Sequence, residues 1–108
     1  MGNCCGFIES KKECYHLKVW VHYFNDAPTS PCPLCGCNVM FKSRFVIQAQ
    51  PGAWKVGYKI SPYKGGSDDV NNLLPVCWDC FYSMGYQNME CYAWKSGYNS
   101  NHKLISGY

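Results

Sequence analysis

Hydrophobic and polar residues alternate along residues 15–24, near the amino terminus. Apolar side chains occupy every second position, namely Leu17, Val19, Val21 and Tyr23, and His16, Lys18, Trp20 and His22 lie between them. A period of two is typical of a half-buried strand, because successive side chains of a strand point to opposite faces. The pattern therefore predicts one strand over residues 15–24, within an amino-terminal extension formed by residues 1–26.

Turn-forming residues, two prolines among them, fill residues 25–31 and predict a loop. Two apolar segments follow, residues 39–50 and 54–60, and both are rich in β-branched and aromatic residues. Pro51 and Gly52 lie between the segments and favour a turn. We therefore predict that the two segments form a hairpin.

The carboxyl-terminal third of the chain carries weaker signals. Residues 64–69 are rich in glycine and polar residues and predict a loop. Residues 81–90 are the best candidate for a helix, although Gly85 weakens it by about 1 kcal/mol relative to alanine. No period is visible from Tyr92 onward, so we predict that residues 91–108 are irregular. Taken together, the elements predict a small α+β domain.

The length and the cysteine content of the chain add to this picture. A chain of 108 residues fits a single domain, residues 1–108, and nine of its residues are cysteine. The sequence has neither the apolar run of about 18 residues that a membrane span needs nor the apolar segment of a secretory signal. We therefore expect an intracellular protein, in the cytoplasm, the nucleus or a virion. Cysteines in a reducing compartment stay thiols, which favours metal ligation over disulfides.

Four of the cysteines form two C-x-x-C pairs, Cys32 with Cys35 and Cys77 with Cys80. Each pair can point two thiolates at one ion, and a set of four cysteines is typical of a closed structural zinc site. Gly36, directly after the first pair, can adopt the positive φ of a zinc knuckle. The second pair precedes the predicted helix, whose amino terminus favours thiolate. The sequence therefore predicts one structural Zn²⁺ bound by these four residues.

The other cysteines leave two questions open. With two histidines they contain enough sulfur and nitrogen for a second ion, or they are small buried hydrophobes; the residues concerned are Cys4, Cys5, Cys14, Cys37, Cys91, His16 and His22. Gly2, followed by two cysteines, suits double acylation, although position 6 is glycine where the motif prefers serine or threonine.

Positive charge is concentrated in the middle of the chain. The net charge is only +3, yet residues 27–67 contain five basic residues and no acidic residue. Basic and aromatic residues are interleaved there, a pattern that suits phosphate neutralisation and base stacking. The predicted nucleic-acid contacts are Lys42, Arg44, Trp54, Lys55, Lys59 and Lys64. The alternative is that the charges form the solvated face of the hairpin and the aromatic rings its core.

Three motifs follow one another in the order CPLCG at 32–36, YKISPYKGGS at 58–67 and NNLLPVCWDC at 71–80. This order resembles that of the HNH, or His-Me finger, endonucleases in their zinc-stabilised form. In that family a zinc knuckle precedes a strand with the catalytic histidine, and a Gly-Gly loop, an Asn-Leu pair and a helix opened by the second C-x-x-C follow. The resemblance implies an HNH-like, treble-clef ββα unit over residues 32–90.

Most residues that carry the chemistry of that family are absent. Lys59 stands at the position of the catalytic histidine, and Phe81 stands where the family has Asn or His after the last cysteine. Only Asn72 matches the functional set. A cationic lysine is a poor base, and phenylalanine cannot bind magnesium, so we expect no nuclease activity. The histidines outside the motif that could replace the base are His16, His22 and His102.

The sequence therefore predicts a non-catalytic, zinc-stabilised module that binds nucleic acid or assembles into nucleoprotein, without a small-molecule substrate. The alternative is a structural subunit that binds other proteins in a large assembly such as a viral particle. Nine tyrosines, four tryptophans and five phenylalanines favour that alternative, because they exceed what a small core can hide and tyrosine and tryptophan are enriched at protein interfaces.

Overall fold

The structure is a computed structural model that describes residues 10–44, 51–98 and 102–105. Its helices are α1 (Ser10–Phe24), α2 (Trp78–Met84), α3 (Met89–Ser96) and α4 (His102–Ile105), and its strands are β1 (Thr29–Pro31), β2 (Asn38–Arg44), β3 (Gly52–Tyr58) and β4 (Leu73–Cys77). Two 3-10 helices, Pro62–Lys64 and Val70–Asn72, connect β3 to β4. The four strands form one sheet against which α1 and α2 pack. The α+β prediction is confirmed.

The sheet is mixed, with the strand order β1-β2-β3-β4. β1 and β2 are antiparallel, as are β3 and β4. The predicted hairpin is wrong, because β2 and β3 are neighbours but run parallel, with a register shift between Val39 and Arg44. Gly52 does not close a turn between them. It begins β3 with a φ of +82°, and a Cβ there would lie 2.7 Å from Cγ of Met40, so glycine lets the two strands approach. The predicted continuation of β2 over residues 45–50 lies outside the described residues.

The predicted amino-terminal strand is also wrong, because residues 15–24 belong to helix α1. The buried residues Val19 and Trp20 and the half-buried residues Tyr15, His16, Tyr23 and Phe24 follow helical spacing. The period of two counted Trp20 with the polar face, whereas its side chain is almost fully buried. Val21, assigned to the apolar face, is half-exposed. A stripe at i, i+3 and i+4 is the pattern that packs a helix on a sheet.

Aromatic side chains join α1 to the sheet. The Trp20 ring lies 4.8 Å from the Trp54 ring and 5.4 Å from the Phe41 ring, measured between centroids. Both indole N–H groups are satisfied, since Trp20 donates to the Ala27 carbonyl and Trp54 to the Phe41 carbonyl. The main core therefore lies between α1 and strands β2 to β4, away from solvent.

The predicted helix over residues 81–90 is in fact two helices. α2 starts three residues earlier, at Trp78, and ends at Met84, because the φ of +57° and ψ of −125° of Gly85 are not helical. α3 then begins after Asn88 and buries Met89, Tyr92 and Ala93. The prediction of an irregular segment from residue 91 is therefore wrong for α3 and α4. Two sequence features indicate α3. They are the spacing of its apolar residues and Gly97, which caps the helix in the left-handed conformation.

Candidate metal centre

The first cysteine pair lies in a tight turn between β1 and β2. The amide of Gly36 donates to the carbonyl of Cys32 (2.9 Å), and Gly36 has a φ of +87°. The amide of Leu34 lies 3.4 Å from the sulfur of Cys32 and donates to it. The positive φ predicted for Gly36 is confirmed, and the turn aims backbone N–H groups at a sulfur atom as a metal knuckle requires.

The second pair lies where β4 passes into α2. Cys77 is the last residue of β4 and caps α2, and its sulfur accepts from the amide of Cys80 at 3.4 Å. The amide of Cys77 in turn donates to the sulfur of Cys32 at 3.3 Å. The predicted position of this pair at the start of a helix is confirmed, and one hydrogen bond already links the two pairs.

All four sulfur atoms lie within 4.8 Å of one another. The sulfur atoms of Cys35 and Cys77 are 3.6 Å apart, too far for a disulfide, whose sulfur atoms are about 2.05 Å apart. A tetrahedral ion with bonds of about 2.3 Å to sulfur sets its ligands about 3.8 Å apart. The predicted convergence of Cys32, Cys35, Cys77 and Cys80 is therefore confirmed, and the four residues are positioned to bind one metal ion.

Hydrogen bonds among the thiols shift their pKa values in opposite directions. Those from Cys77 and Cys80 lower the pKa of Cys32 to about 2. The same interaction with Cys32 raises the pKa of Cys80 to about 12 and that of Cys77 far above its usual range. A divalent cation would replace these protons as the common partner of all four sulfurs, which is why thiolate metal sites release protons on binding.

The remaining cysteines form no second cluster of three or more ligands among the side chains that the structure describes. Cys37 is exposed beside the first pair, where partial burial and the neighbouring Cys35 raise its pKa to about 11. Cys91 is exposed on α3. Cys4, Cys5 and the side chain of Cys14 lie outside the described residues, as does Gly2, so the second metal site and the acylation stay predictions.

The predicted nucleic-acid contacts do not form one surface. Trp54 is fully buried in the core, and Lys59 is only 7% exposed, with its amine 4.8 Å over the ring of Tyr23. Neither side chain is accessible to nucleic acid, because the first packs against α1 and the second is covered by it. Lys42 and Lys64 are exposed, and the side chain of Arg44 lies outside the described part of the chain.

Lys55 is the predicted contact with the most informative surroundings. Its amine lies 5.2 Å from the centre of the Trp78 ring and 5.9 Å from that of Tyr82. We call Lys55, Trp78 and Tyr82 the aromatic–basic patch. The two rings are not among the predicted contacts, because the predicted helix begins only at residue 81. A helix starting directly after Cys77 places residues 78 and 82 one turn apart on the same face.

Asn72, the one match to the functional set of the HNH family, is fully buried. Its Oδ1 accepts from the amide of Ile60, and its Nδ2 donates to the carbonyls of Ile60 and Ser67. We call these three hydrogen bonds the Asn72 staple. Gly66 makes room for it, since a Cβ there would collide with the carbonyl of Ile60. The staple fixes the loop that follows Lys59.

Comparison of the chain with protein-family models, with curated proteins and with solved structures found no match. The resemblance to HNH endonucleases therefore stays a prediction. Of the helices that the structure describes, none combines the length and the hydropathy needed to cross a membrane.

Proposed function

We propose that the protein is a non-catalytic, zinc-stabilised module that holds single-stranded nucleic acid on the aromatic–basic patch. The observation that carries the proposal is the position of the patch beside the metal centre. Trp78 lies between two of the cysteines, and the amine of Lys55 reaches over its ring from the neighbouring strand. An aromatic platform with a cation attached is what sequence-tolerant binding of single strands uses.

Zinc is the ion that best suits four cysteines. Thiolates are soft ligands, and zinc accepts four of them in a tetrahedron without redox chemistry. Four protein ligands leave no position open for water or substrate, so the ion is structural. In this proposal the ion fixes Cys77 and Cys80, and these two residues hold Trp78 in place.

The surroundings of Lys59 and Asn72 support a role without catalysis. Lys59 stands where the family that the chain resembles has its histidine base, and its amine lies over the ring of Tyr23, where burial lowers its pKa. The Asn72 side chain forms its three hydrogen bonds with backbone groups. It therefore stabilises the loop and does not contact a metal-bound substrate.

The proposal is tested on the zinc-loaded full chain by fluorescence anisotropy with a labelled single-stranded oligonucleotide. Loss of the Tyr82 ring in Tyr82→Ala removes one stacking surface, and we expect about a tenfold weaker affinity. Lys55→Gln should weaken binding and reduce the slope of log affinity against log salt by about 0.7. Lys95→Gln, a change of an exposed lysine on α3, is the matched control and should lower affinity much less.

Two outcomes would contradict the proposal. One is an affinity that does not change with salt. The other is equal weakening by Lys55→Gln and Lys95→Gln, which would indicate a general effect of net charge. Removal of zinc with a chelator should abolish binding together with the near-ultraviolet circular dichroism of the aromatic rings, because the patch is fixed by the metal ligands.

The second candidate function is protein assembly, and a different observation favours it. Trp94 is 84% exposed, and Tyr63 and Tyr86 are exposed by 77% and 71%. Exposed rings of this size on a small domain are typical of interaction sites.

A further inference from the structure

A small pocket opens between β3, the 3-10 helix Pro62–Lys64 and the end of α2. Its volume is about 200 Å³, and its lining includes Val56, Tyr63, Phe81, Met84, Tyr86 and Gln87. None of the described residues that line it carries a charge. A cavity of about 150 Å³ accommodates benzene, so this pocket fits one aromatic side chain and is too small for a larger ligand.

Two tyrosines form the mouth of the pocket. The rings of Tyr63 and Tyr86 meet edge to face, with their centroids 4.7 Å apart. Both rings are largely exposed, so they can move apart at little cost and close around a ring that enters. Rotamer changes of this kind are common when interfaces form.

Gln87 defines what the ligand must offer. Its Nε2 donates to the carbonyl of Met84 at 3.1 Å, which fixes the orientation of the amide. Its Oε1 is buried and has no hydrogen-bond partner within the part of the chain that the structure describes. A buried acceptor without a partner is costly, so the favoured occupant brings an N–H group and few other polar atoms. Among side chains the indole of tryptophan meets this description, because it donates one hydrogen bond and accepts none.

The chain itself presents such a group. Trp94 lies on α3, on the side opposite to the buried residues Met89, Tyr92 and Ala93. With 84% of its side chain exposed, it is the most exposed of the large hydrophobic residues that the structure describes. An indole in water gains both apolar burial and a hydrogen bond by entering an apolar pocket.

We propose that Trp94 of one copy of the chain inserts into this pocket of a second copy and donates its indole N–H to Oε1 of Gln87. Reciprocal insertion closes a dimer, and one-way insertion produces an open chain of copies. The association needs no nucleic acid and does not depend on the function proposed above.

The test is sedimentation velocity of the zinc-loaded full chain, without nucleic acid, over a wide range of protein concentration. We expect the wild-type mass to rise above that of the monomer. Trp94→Ala should weaken association by about 30-fold or more, as a hot-spot tryptophan does. Tyr63→Ala combined with Tyr86→Ala removes the mouth and should have a similar effect. Val21→Ser, which changes an exposed apolar residue on α1, is the control and should associate like the wild type.

A mixing experiment identifies the contact. The Trp94→Ala variant keeps the pocket, and the double tyrosine variant keeps the indole. Each should be monomeric alone, and the two should associate when mixed. Trp94→Phe and Gln87→Leu each remove one partner of the hydrogen bond, so their effects on affinity should be less than multiplicative when combined.

Three results would overturn the proposal. They are a wild-type chain that stays monomeric at every concentration, association that survives Trp94→Ala, and variants that fail to associate when mixed although both are folded and carry zinc. A chain that stays monomeric yet binds oligonucleotides would leave the nucleic-acid proposal standing, so the two failures are distinguishable.

Discussion

The region around the four cysteines and helix α1 are held to the sheet by different interactions. Four sulfur atoms, all within 4.8 Å of one another, join the turn after β1 to the start of α2. α1 is held instead by ring packing, chiefly of Trp20 against Trp54 and Phe41. Bonds from these sulfur atoms to one ion would be few and strong, whereas the ring contacts are many and individually weak. We therefore expect damage to be nearly all-or-none in the first region and graded in the second.

Removing one sulfur ligand should have the largest effect. In Cys80→Ala a site of three thiolates remains, and structural zinc contributes about 10–16 kcal/mol to small zinc domains, more than most domains have in total stability. We expect loss of stoichiometric zinc and of a cooperative thermal transition, measured by metal analysis and circular dichroism. Cys91→Ser, at an exposed cysteine of α3, should keep both. A Cys80→Ala protein with full zinc and a sharp transition would contradict the assignment of the site.

Removing a ring from the second region should have a smaller effect. Trp20→Ala should lower the free energy of unfolding by about 3–5 kcal/mol, because it empties a large volume in the core. Zinc stoichiometry of the folded protein should stay unchanged. Val21→Ala, at the half-exposed neighbouring position, should change stability by less than about 0.5 kcal/mol. If Trp20→Ala does not fold, Trp20→Phe tests the same point, and loss of zinc there would show that the two regions are not independent.

Loss of the Asn72 staple should rank third. Asn72→Ala leaves part-buried backbone groups of Ile60 and Ser67 without their side-chain partner, and we expect a loss of about 1–3 kcal/mol in denaturant unfolding. Asn71→Ala changes the same residue type one position earlier, at an exposed site, and should be nearly neutral. Equal effects of the two changes would show that the staple contributes little.

Lys59→Met should have the smallest effect, and its size depends on pH. Burial lowers the pKa of Lys59 below its usual 10.5, so the unfolded chain binds the proton more tightly than the folded one. The charged form therefore destabilises the fold at neutral pH. The destabilisation fades as pH rises from the lowered pKa to that of the unfolded chain. We expect the variant to be more stable than the wild type at pH 7 by less than about 1 kcal/mol, since the contact with Tyr23 is also lost.

Denaturant unfolding at pH 7 and again near the usual pKa of lysine measures this difference. The advantage of Lys59→Met should shrink at the higher pH. A variant that is less stable at pH 7 would show that the contact between the amine and the Tyr23 ring outweighs the cost of burying the charge.

The two regions also differ in how far the sequence predicts them. The metal ligands are predictable because C-x-x-C spacing reflects local geometry. The positive φ of Gly36 is predictable as well, because glycine adopts that conformation readily. The helical conformation of α1 is not predictable in this way. Trp20 and Val21 are both apolar, yet Trp20 is buried and Val21 is half-exposed. Only the packing of Trp20 on Trp54, distant in the chain, decides between helix and strand.

The pairing of the strands and the limits of the patch were beyond local signals for the same reason. β2 and β3 both have strand composition, but their relative direction depends on contacts such as that of Met40 with Gly52. Composition placed Trp54 among the nucleic-acid contacts because an aromatic residue between lysines looks the same whether its ring is buried or exposed. Tyr82 can be assigned to the aromatic–basic patch only when α2 is known to start at Trp78.

The partners of Asn72 are all main-chain atoms, and this has a consequence for how the protein can evolve. The side chains of residues 60 and 67 take no part in the staple, so either position can drift without loosening it. Asn72 itself has no such freedom, because few side chains offer a donor and an acceptor at that reach. The reactive side chains around this loop could therefore all change during evolution, and the Asn72 amide alone would preserve the conformation of the loop.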